Sequence, residues 1–137
     1  MPSSPVLRLD VDPMEYGVLR LPPDTPLPAW VGGDFFSITR TPQELSIVVT
    51  ASIYDAAVVP PETPYEGGWR ALHVRGPLPF DAIGILARLS HVLAEACISI
   101  FVLSTYDTDI LLLKAEQLPE AVRRLEERGY QVFQQHR

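Results

Sequence analysis

The sequence has few cysteines, no long apolar run and an excess of acidic over basic residues, and each feature excludes a class of protein. Cys97 is the single cysteine among 137 residues, so neither an intramolecular disulfide framework nor a cysteine-based zinc cluster can form. The net charge of −6 disfavours nucleic-acid binding, because an acidic surface repels phosphates. No apolar run reaches the roughly 18 residues of a membrane span, and no signal peptide is visible. We therefore expect a cytoplasmic protein that binds neither nucleic acid nor membrane.

Motifs for catalysis and metal binding are also missing from the sequence. There is no glycine-rich phosphate loop and no Gly-x-Ser-x-Gly nucleophile motif. His73, His91 and His136 have no evident catalytic partners, so we interpret them as structural or solvated residues. The run from Asp107 to Asp109 favours a tight turn over a metal site, because two carboxylates are too few oxygen ligands. The sequence therefore predicts a protein that is not an enzyme and has no metal or other cofactor.

Proline, by contrast, is frequent, with 14 residues that lie mostly before position 80. This density argues against long helices in the first half of the chain. Short β-branched and aromatic runs predict strands there instead, over Val6 to Leu9, Tyr16 to Leu21, Phe35 to Thr39 and Leu45 to Ala51. The proline- and glycine-rich segment from Asp55 to Gly68 lacks helical periodicity, and we interpret it as a module boundary.

The second half predicts the order β-α-β-β-α-β of a ferredoxin-like module. The first helix is expected to begin at Asp81 as its N-cap and to end near Ala96. The second is expected to begin at Pro119 and to end at Gly129. The strands are predicted over Trp69 to Arg75, Ile98 to Ser104, Ile110 to Ala115 and Tyr130 to Phe133.

A weak internal repeat links the two halves. A shift of 65 residues sets Phe36 to Glu44 over Phe101 to Asp109, and Val6 to Leu9 over Ala71 to Val74. We interpret the repeat as a duplication whose first copy has lost most of its helices. The predicted organisation is a degenerate module over residues 1–66 and a complete module over residues 67–137.

Two strands of the second module carry too little polar surface for a sheet with one face in water. Ile98 to Leu103 and Ile110 to Leu113 are almost entirely apolar and do not alternate with polar residues. Either the two modules cover each other's sheets, or a second chain does. We expect a homodimer that buries the open faces or edges of the sheets.

The predicted start of the first helix is a candidate site for a small ligand. Unpaired backbone N–H groups at a helix N-terminus suit a carboxylate, and Gly84 would allow a ligand to approach closely. Asp81 or Asp109 could accept a ligand ammonium group, and together these groups would form an amino-acid site. Equally, Gly84 could serve only the packing of helix on sheet.

Gly76 to Ala87 and Ile98 to Asp109 resemble the ACT domain. More narrowly, they resemble small bacterial tandem-ACT proteins and the animal CASTOR amino-acid sensors, and Phe35 to Val49 is similar to the leading module of those proteins. The resemblance implies an α+β fold of two ferredoxin-like (βαββαβ) ACT modules in tandem, with antiparallel sheets and helices on one face. It also implies regulatory binding of amino acids at the interfaces between modules.

The resemblance also implies which residues would bind the ligand. Carried over by position, they are Phe80, Asp81, Gly84, Ile85, Leu86, Ser99, Ile100, Thr105, Tyr106 and Asp109. Arginine-binding members have an acidic residue where this chain has Ala82, which leaves the identity of the amino acid open. With no catalytic or DNA-binding domain in view, the expected function is a sensor that regulates a separate protein. The alternative is an interaction or dimerisation module without a ligand.

Overall fold

The computed structural model describes residues 7–78 and 83–134, and the chain divides into two compact units. The middle unit is Met14–Trp69, and the split unit combines the chain up to Pro13 with the chain from Arg70 onward. The predicted modules, residues 1–66 and 67–137, differ from this division chiefly at the N-terminus. The first strand of the chain belongs with the second half, because it pairs with strands there.

The chain forms eight strands and three α-helices within the described residues. The strands are β1 (Arg8–Val11), β2 (Tyr16–Leu21), β3 (Ser37–Arg40), β4 (Leu45–Thr50), β5 (Tyr65–Val74), β6 (Phe101–Ser104), β7 (Asp109–Lys114) and β8 (Gln131–Gln134). The helices are α1 (Ala51–Ala56), α2 (Ile85–Glu95) and α3 (Leu118–Glu127), the last preceded by a 3-10 turn, Ala115–Gln117. None of these helices is long and apolar enough to cross a membrane.

The middle unit is a small antiparallel sheet in the order β3-β4-β2-β5, to which β5 contributes its first residues. Its core is aliphatic, and Leu19, Leu45 and Ile47 are at most 1% exposed. The ring of Tyr65 lies over Gly17, so a Cβ at this position would require the ring to move. The single helix, α1, is six residues long and begins at Ala51, which the sequence placed at the end of a strand. The structure describes every residue of this unit, and its low helix content agrees with the prediction from its prolines.

The split unit confirms the ferredoxin-like α+β fold. Its sheet has the order β6-β7-β5-β1-β8, and α2 and α3 pack on one face of it. The elements from β5 onward follow the predicted β-α-β-β-α-β order. Strand β1 is an addition that lies between β5 and β8, antiparallel to the first and parallel to the second. It belongs to the core because Leu9 and Val11 are fully buried beneath the helices.

Strand β7 is buried on both faces, which agrees with its unbroken apolar sequence. Leu111 and Leu113 belong to the core under the helices, whereas Ile110 and Leu112 point to the opposite face. Ile110 is 5% exposed and Leu112 is fully buried.

The boundaries of α2 and of the strand after it differ from the prediction. Helix α2 begins at Ile85 because Gly84, its N-cap, has the left-handed φ of 83° and cannot be part of the helix. The predicted N-cap Asp81 lies outside the described residues. Strand β6 begins at Phe101, three residues later than predicted. The turn that ends the helix accounts for part of this difference, since Cys97 has a left-handed φ of 59° and Ile98 N–H donates to the carbonyl oxygen of Leu93 at 2.9 Å. Pro119 lies in the first turn of α3, as expected.

Candidate functional site

An open crevice of about 320 Å³ lies in the split unit, between the first turn of α2 and the connection from β6 to β7. Its wall combines apolar side chains of the helix start with polar side chains of the connection. The lining residues are Leu78, Gly84, Ile85, Leu86, Ala87, Ser104, Thr105, Tyr106, Asp107, Thr108 and Asp109.

The helical side of the crevice presents backbone donors. The first bond of α2 runs from Arg88 N–H to the carbonyl oxygen of Gly84, at 2.9 Å. The N–H groups of Ile85, Leu86 and Ala87 therefore have no partner within the helix. Gly84 has no side chain to cap them, and the helix dipole adds partial positive charge at this end. This side of the crevice is suited to an anionic group.

The opposite wall is a tight connection held by its own threonines. Thr105 N–H donates to the carbonyl oxygen of Thr108 at 2.8 Å, and Thr108 N–H donates to Thr105 Oγ1 at 3.2 Å. Thr108 Oγ1 also donates to the carbonyl oxygen of Val74 at 2.6 Å, which attaches the connection to β5. These bonds confirm the prediction that Asp107 to Asp109 serves turn formation.

Two carboxylates, those of Asp107 and Asp109, line the crevice, and no basic side chain joins them there among the described residues. Ser104 Oγ donates to Asp109 Oδ1 at 2.7 Å and so fixes the orientation of this carboxylate. An ionised carboxylate has about four lone-pair positions, so Asp109 can still accept hydrogen bonds from a ligand. The carboxylates suit a cationic group, while the helix start suits an anionic one.

A close backbone contact connects the loop after β5 with the same wall. Leu78 N–H donates to the carbonyl oxygen of Asp107 at 2.6 Å. A Cβ on Gly76 would lie 2.8 Å from that same oxygen, so a side chain there would push the two segments apart. Gly76 is therefore required for the shape of the crevice, a role that only the tertiary contact reveals.

The crevice brings together six of the ten predicted ligand residues: Gly84, Ile85, Leu86, Thr105, Tyr106 and Asp109. Phe80 and Asp81 lie outside the described residues. Ser99 is exposed and Ile100 packs against the core of the split unit, so neither lines this crevice. The residues that line the crevice but were not predicted are Leu78, Ala87, Ser104, Asp107 and Thr108, although the last three belong to the same polar run as Thr105 and Asp109. Ligand binding by any of these residues stays a prediction.

The described histidines have partners that the sequence did not suggest. His73 Nε2 lies 2.9 Å from Asp12 Oδ2, and His91 Nε2 lies 2.7 Å from Glu95 Oε1. His136 lies outside the described residues. Within residues 7–78 and 83–134, no group of three or more His, Cys, Asp or Glu side chains could hold a metal ion.

Comparison with known families supports the resemblance. A family model for the ACT domain matches residues 65–127, which include both walls of the crevice. A second family model, for an N-terminal domain, matches residues 14–53. No curated protein matches the chain.

Several solved structures are similar to the chain. Protein Atu0741 from Agrobacterium tumefaciens is 34% identical, covering 98% of this chain and 97% of that one, with a TM-score of 0.85. Protein VC0802 from Vibrio cholerae is 19% identical, covering 88% of each chain, with a TM-score of 0.72. The regulatory subunit of aspartate kinase from Thermus thermophilus is 14% identical, covering 87% of this chain and 95% of that one, with a TM-score of 0.63.

At 19% and 14% identity, the last two structures show a shared fold and nothing more. The relation to Atu0741 is stronger, because it combines higher identity with coverage of nearly the whole of both chains. The chain therefore carries an ACT domain and belongs to the same protein family as Atu0741.

Proposed function

We propose that this protein is a regulatory sensor that binds an amino acid in the crevice between α2 and the β6–β7 connection. The observation that carries the proposal is the pairing of opposite chemistries in one crevice. First-turn N–H groups of α2, which have no acceptor within the helix, line one wall, and the carboxylates of Asp107 and Asp109 line the other. An amino acid carries an anionic and a cationic group a few bonds apart, which this arrangement complements.

Each part of the ligand has a suitable contact. The ligand carboxylate would accept hydrogen bonds from the first-turn N–H groups of α2. The ammonium group would donate to Asp109, whose orientation Ser104 fixes. Leu78, Ile85 and Leu86 would contact the ligand side chain. The volume of about 320 Å³ lies at the small end of ligand pockets, which span roughly 300–1,000 Å³, and suits a molecule of this size.

A regulatory role is supported by the ACT-domain match and by the similarity in fold to the regulatory subunit of an aspartate kinase. We propose a cytoplasmic, non-enzymatic protein of the tandem-ACT branch, in which the middle unit derives from a degenerate module. It would act on a separate protein and form a homodimer. Ser99 and Ile100, which do not line the crevice of their own unit, would contribute to a site on a neighbouring module.

The proposal is tested by thermal unfolding with each of the twenty amino acids at millimolar concentration. A ligand that binds the native state alone stabilises it by about 2.7 kcal/mol at a hundredfold excess over its dissociation constant. We expect one or a few amino acids to raise the melting temperature. Asp109→Asn should abolish the increase, although its amide oxygen can still accept the hydrogen bond from Ser104. If none of the twenty stabilises the native protein, the proposal is wrong.

A second candidate function is an interaction module without a ligand. It is favoured by Ile83 and Tyr106, which lie beside the crevice and are 90% and 80% exposed. Large apolar and aromatic side chains that belong to a protein interface are exposed in this way when the partner is absent. If this face mediates self-association, Tyr106→Ala should weaken the dimer in sedimentation equilibrium, and Asp109→Ala should leave it unchanged. The amino-acid sensor predicts that Asp109→Ala instead removes ligand stabilisation.

A further inference from the structure

A second groove, of about 550 Å³, lies between α2 and the end of α3 and is distinct from the crevice in its charge. Its charged and titratable lining consists of basic side chains and a phenol, although the chain as a whole has a net charge of −6. The remaining lining is apolar or glycine. The lining residues are Gly84, Ala87, Arg88, His91, Val92, Arg128 and Tyr130.

One carboxylate holds two of the basic side chains in place. Glu95 Oε1 lies 2.7 Å from His91 Nε2, and both oxygens of Glu95 accept hydrogen bonds from Arg128 Nη2, at 3.1 and 3.0 Å. Arg128 therefore engages Glu95 through a single nitrogen. Since a guanidinium has five N–H donors, most of those of Arg128 are available for another acceptor.

Arg88 contributes the second guanidinium and lies where α2 begins. Its Nη1 is 3.1 Å from the position that a Cβ on Gly84 would occupy, so the side chain folds back over the N-cap. Most arginines of the chain donate to a carboxylate or a carbonyl oxygen, as Arg75 does to Asp10. Within the described ranges, the guanidinium of Arg88 has no hydrogen-bond acceptor. Its N–H groups are therefore available to a ligand in the groove.

We propose that this groove binds a small multivalent anion of the phosphate or dicarboxylate class. Arg88 and Arg128 would each donate in the forked geometry that matches two oxygens of such a group. Ala87 and Val92 would contact the apolar part of the ligand. The groove shares Gly84 and Ala87 with the proposed amino-acid crevice, but Arg88, His91 and Arg128 do not line that crevice. Anion binding here does not depend on amino-acid binding.

Isothermal titration calorimetry at constant ionic strength, with inorganic pyrophosphate and with succinate as probes, tests this site. We expect saturable binding of at least one probe. Pyrophosphate alone would identify a phosphate ligand, and succinate alone a dicarboxylate ligand. Arg88→Gln and Arg128→Gln should each weaken binding by about tenfold or more, which corresponds to 1.4 kcal/mol. Both side chains lie on the surface, so the variants should fold, which circular dichroism would verify.

Arg20→Gln is the matched control, because Arg20 is exposed on β2 in the middle unit and contributes nothing to the groove. It should bind the probe as tightly as the native protein. The proposal is overturned if neither probe binds at millimolar concentration. It is also overturned if Arg20→Gln weakens binding as much as Arg88→Gln, since attraction would then be a general effect of positive charge.

Discussion

Replacement of Gly76 by alanine tests whether the loop after β5 and the β6–β7 connection need their close contact. A Cβ on Gly76 would lie 2.8 Å from the carbonyl oxygen of Asp107, 3.2 Å from Thr108 Cβ and 3.3 Å from Leu78 N. The nearest of these atoms is backbone and cannot rotate away. It also accepts the 2.6 Å hydrogen bond from Leu78 N–H, so relief of the clash must disturb that bond.

The expected cost follows from the general effect of overpacking, which is about 1–3 kcal/mol. An unfolding entropy of about 2.1 cal/mol/K per residue amounts to roughly 0.29 kcal/mol/K for 137 residues. The melting temperature of Gly76→Ala should therefore fall by about 3–10 °C. The same displacement would move Leu78 and Asp107, so the variant should also bind any crevice ligand more weakly.

Gly32→Ala is the matched control, because a Cβ on Gly32 would meet nothing within 4 Å and its φ is not left-handed. Its stability should be unchanged or higher by about 0.4–1 kcal/mol, since alanine restricts the unfolded chain. Differential scanning calorimetry of both variants gives the comparison. If Gly76→Ala melts at the same temperature as Gly32→Ala, the contact does not constrain this wall and the reasoning about the crevice is wrong.

Three further substitutions test the core, an ion pair and the crevice wall. Leu93→Ala should lower the unfolding free energy in urea by about 2–5 kcal/mol because Leu93 is fully buried, whereas Leu27→Ala, at 63% exposure, should change it by less than about 0.5 kcal/mol. Hydrogen bonds from Arg75 lower the pKa of Asp10 below its usual 3.8. The stabilisation from these bonds is fully present above pH 3.8 and is lost as the pH falls through the lowered pKa. In unfolding measured against pH, Asp10→Asn should therefore reduce the loss of stability at acidic pH. Thr108→Val removes a hydroxyl bond to β5 and should cost about 1 kcal/mol by urea titration.

Much of the split unit could be predicted from sequence because its elements have clear periodicity. The apolar stripe that includes Leu89 and Leu93 identified α2, and both side chains are fully buried in the core. The placement of β1 could not be predicted in this way. Its short apolar pattern predicts a strand. Its position between β5 and β8 depends on which strands, distant in the sequence, have a free edge to pair with it.

The start of α2 was predicted too early because two capping signals compete there. Asp81 has the side chain of a common N-cap, while Gly84 can take the left-handed conformation that the chain adopts just before the helix. Sequence preference does not decide between them. The backbone geometry at Gly84 decides it. The N–H groups that have no acceptor within the helix are therefore those of Ile85, Leu86 and Ala87.

Part of the candidate site could be read from sequence because Ser104 to Asp109 lies within one hairpin connection. The resemblance to the ACT domain identified Thr105 and Asp109 together, and the local contacts of this connection depend on neighbours in the chain. Gly76 and Leu78 reach the site through a contact with Asp107 about thirty residues away, which no local pattern predicts.

The most direct test of amino-acid sensing is the location of the bound ligand by amide chemical-shift changes in ¹H–¹⁵N NMR spectra. The titrant is whichever amino acid raises the melting temperature. We expect saturable changes concentrated at Gly84–Ala87 and Ser104–Asp109, the two walls of the crevice. Asp109→Asn should eliminate them. Changes centred elsewhere, such as around Gly32 in the middle unit, or the same changes in Asp109→Asn, would contradict amino-acid binding in this crevice.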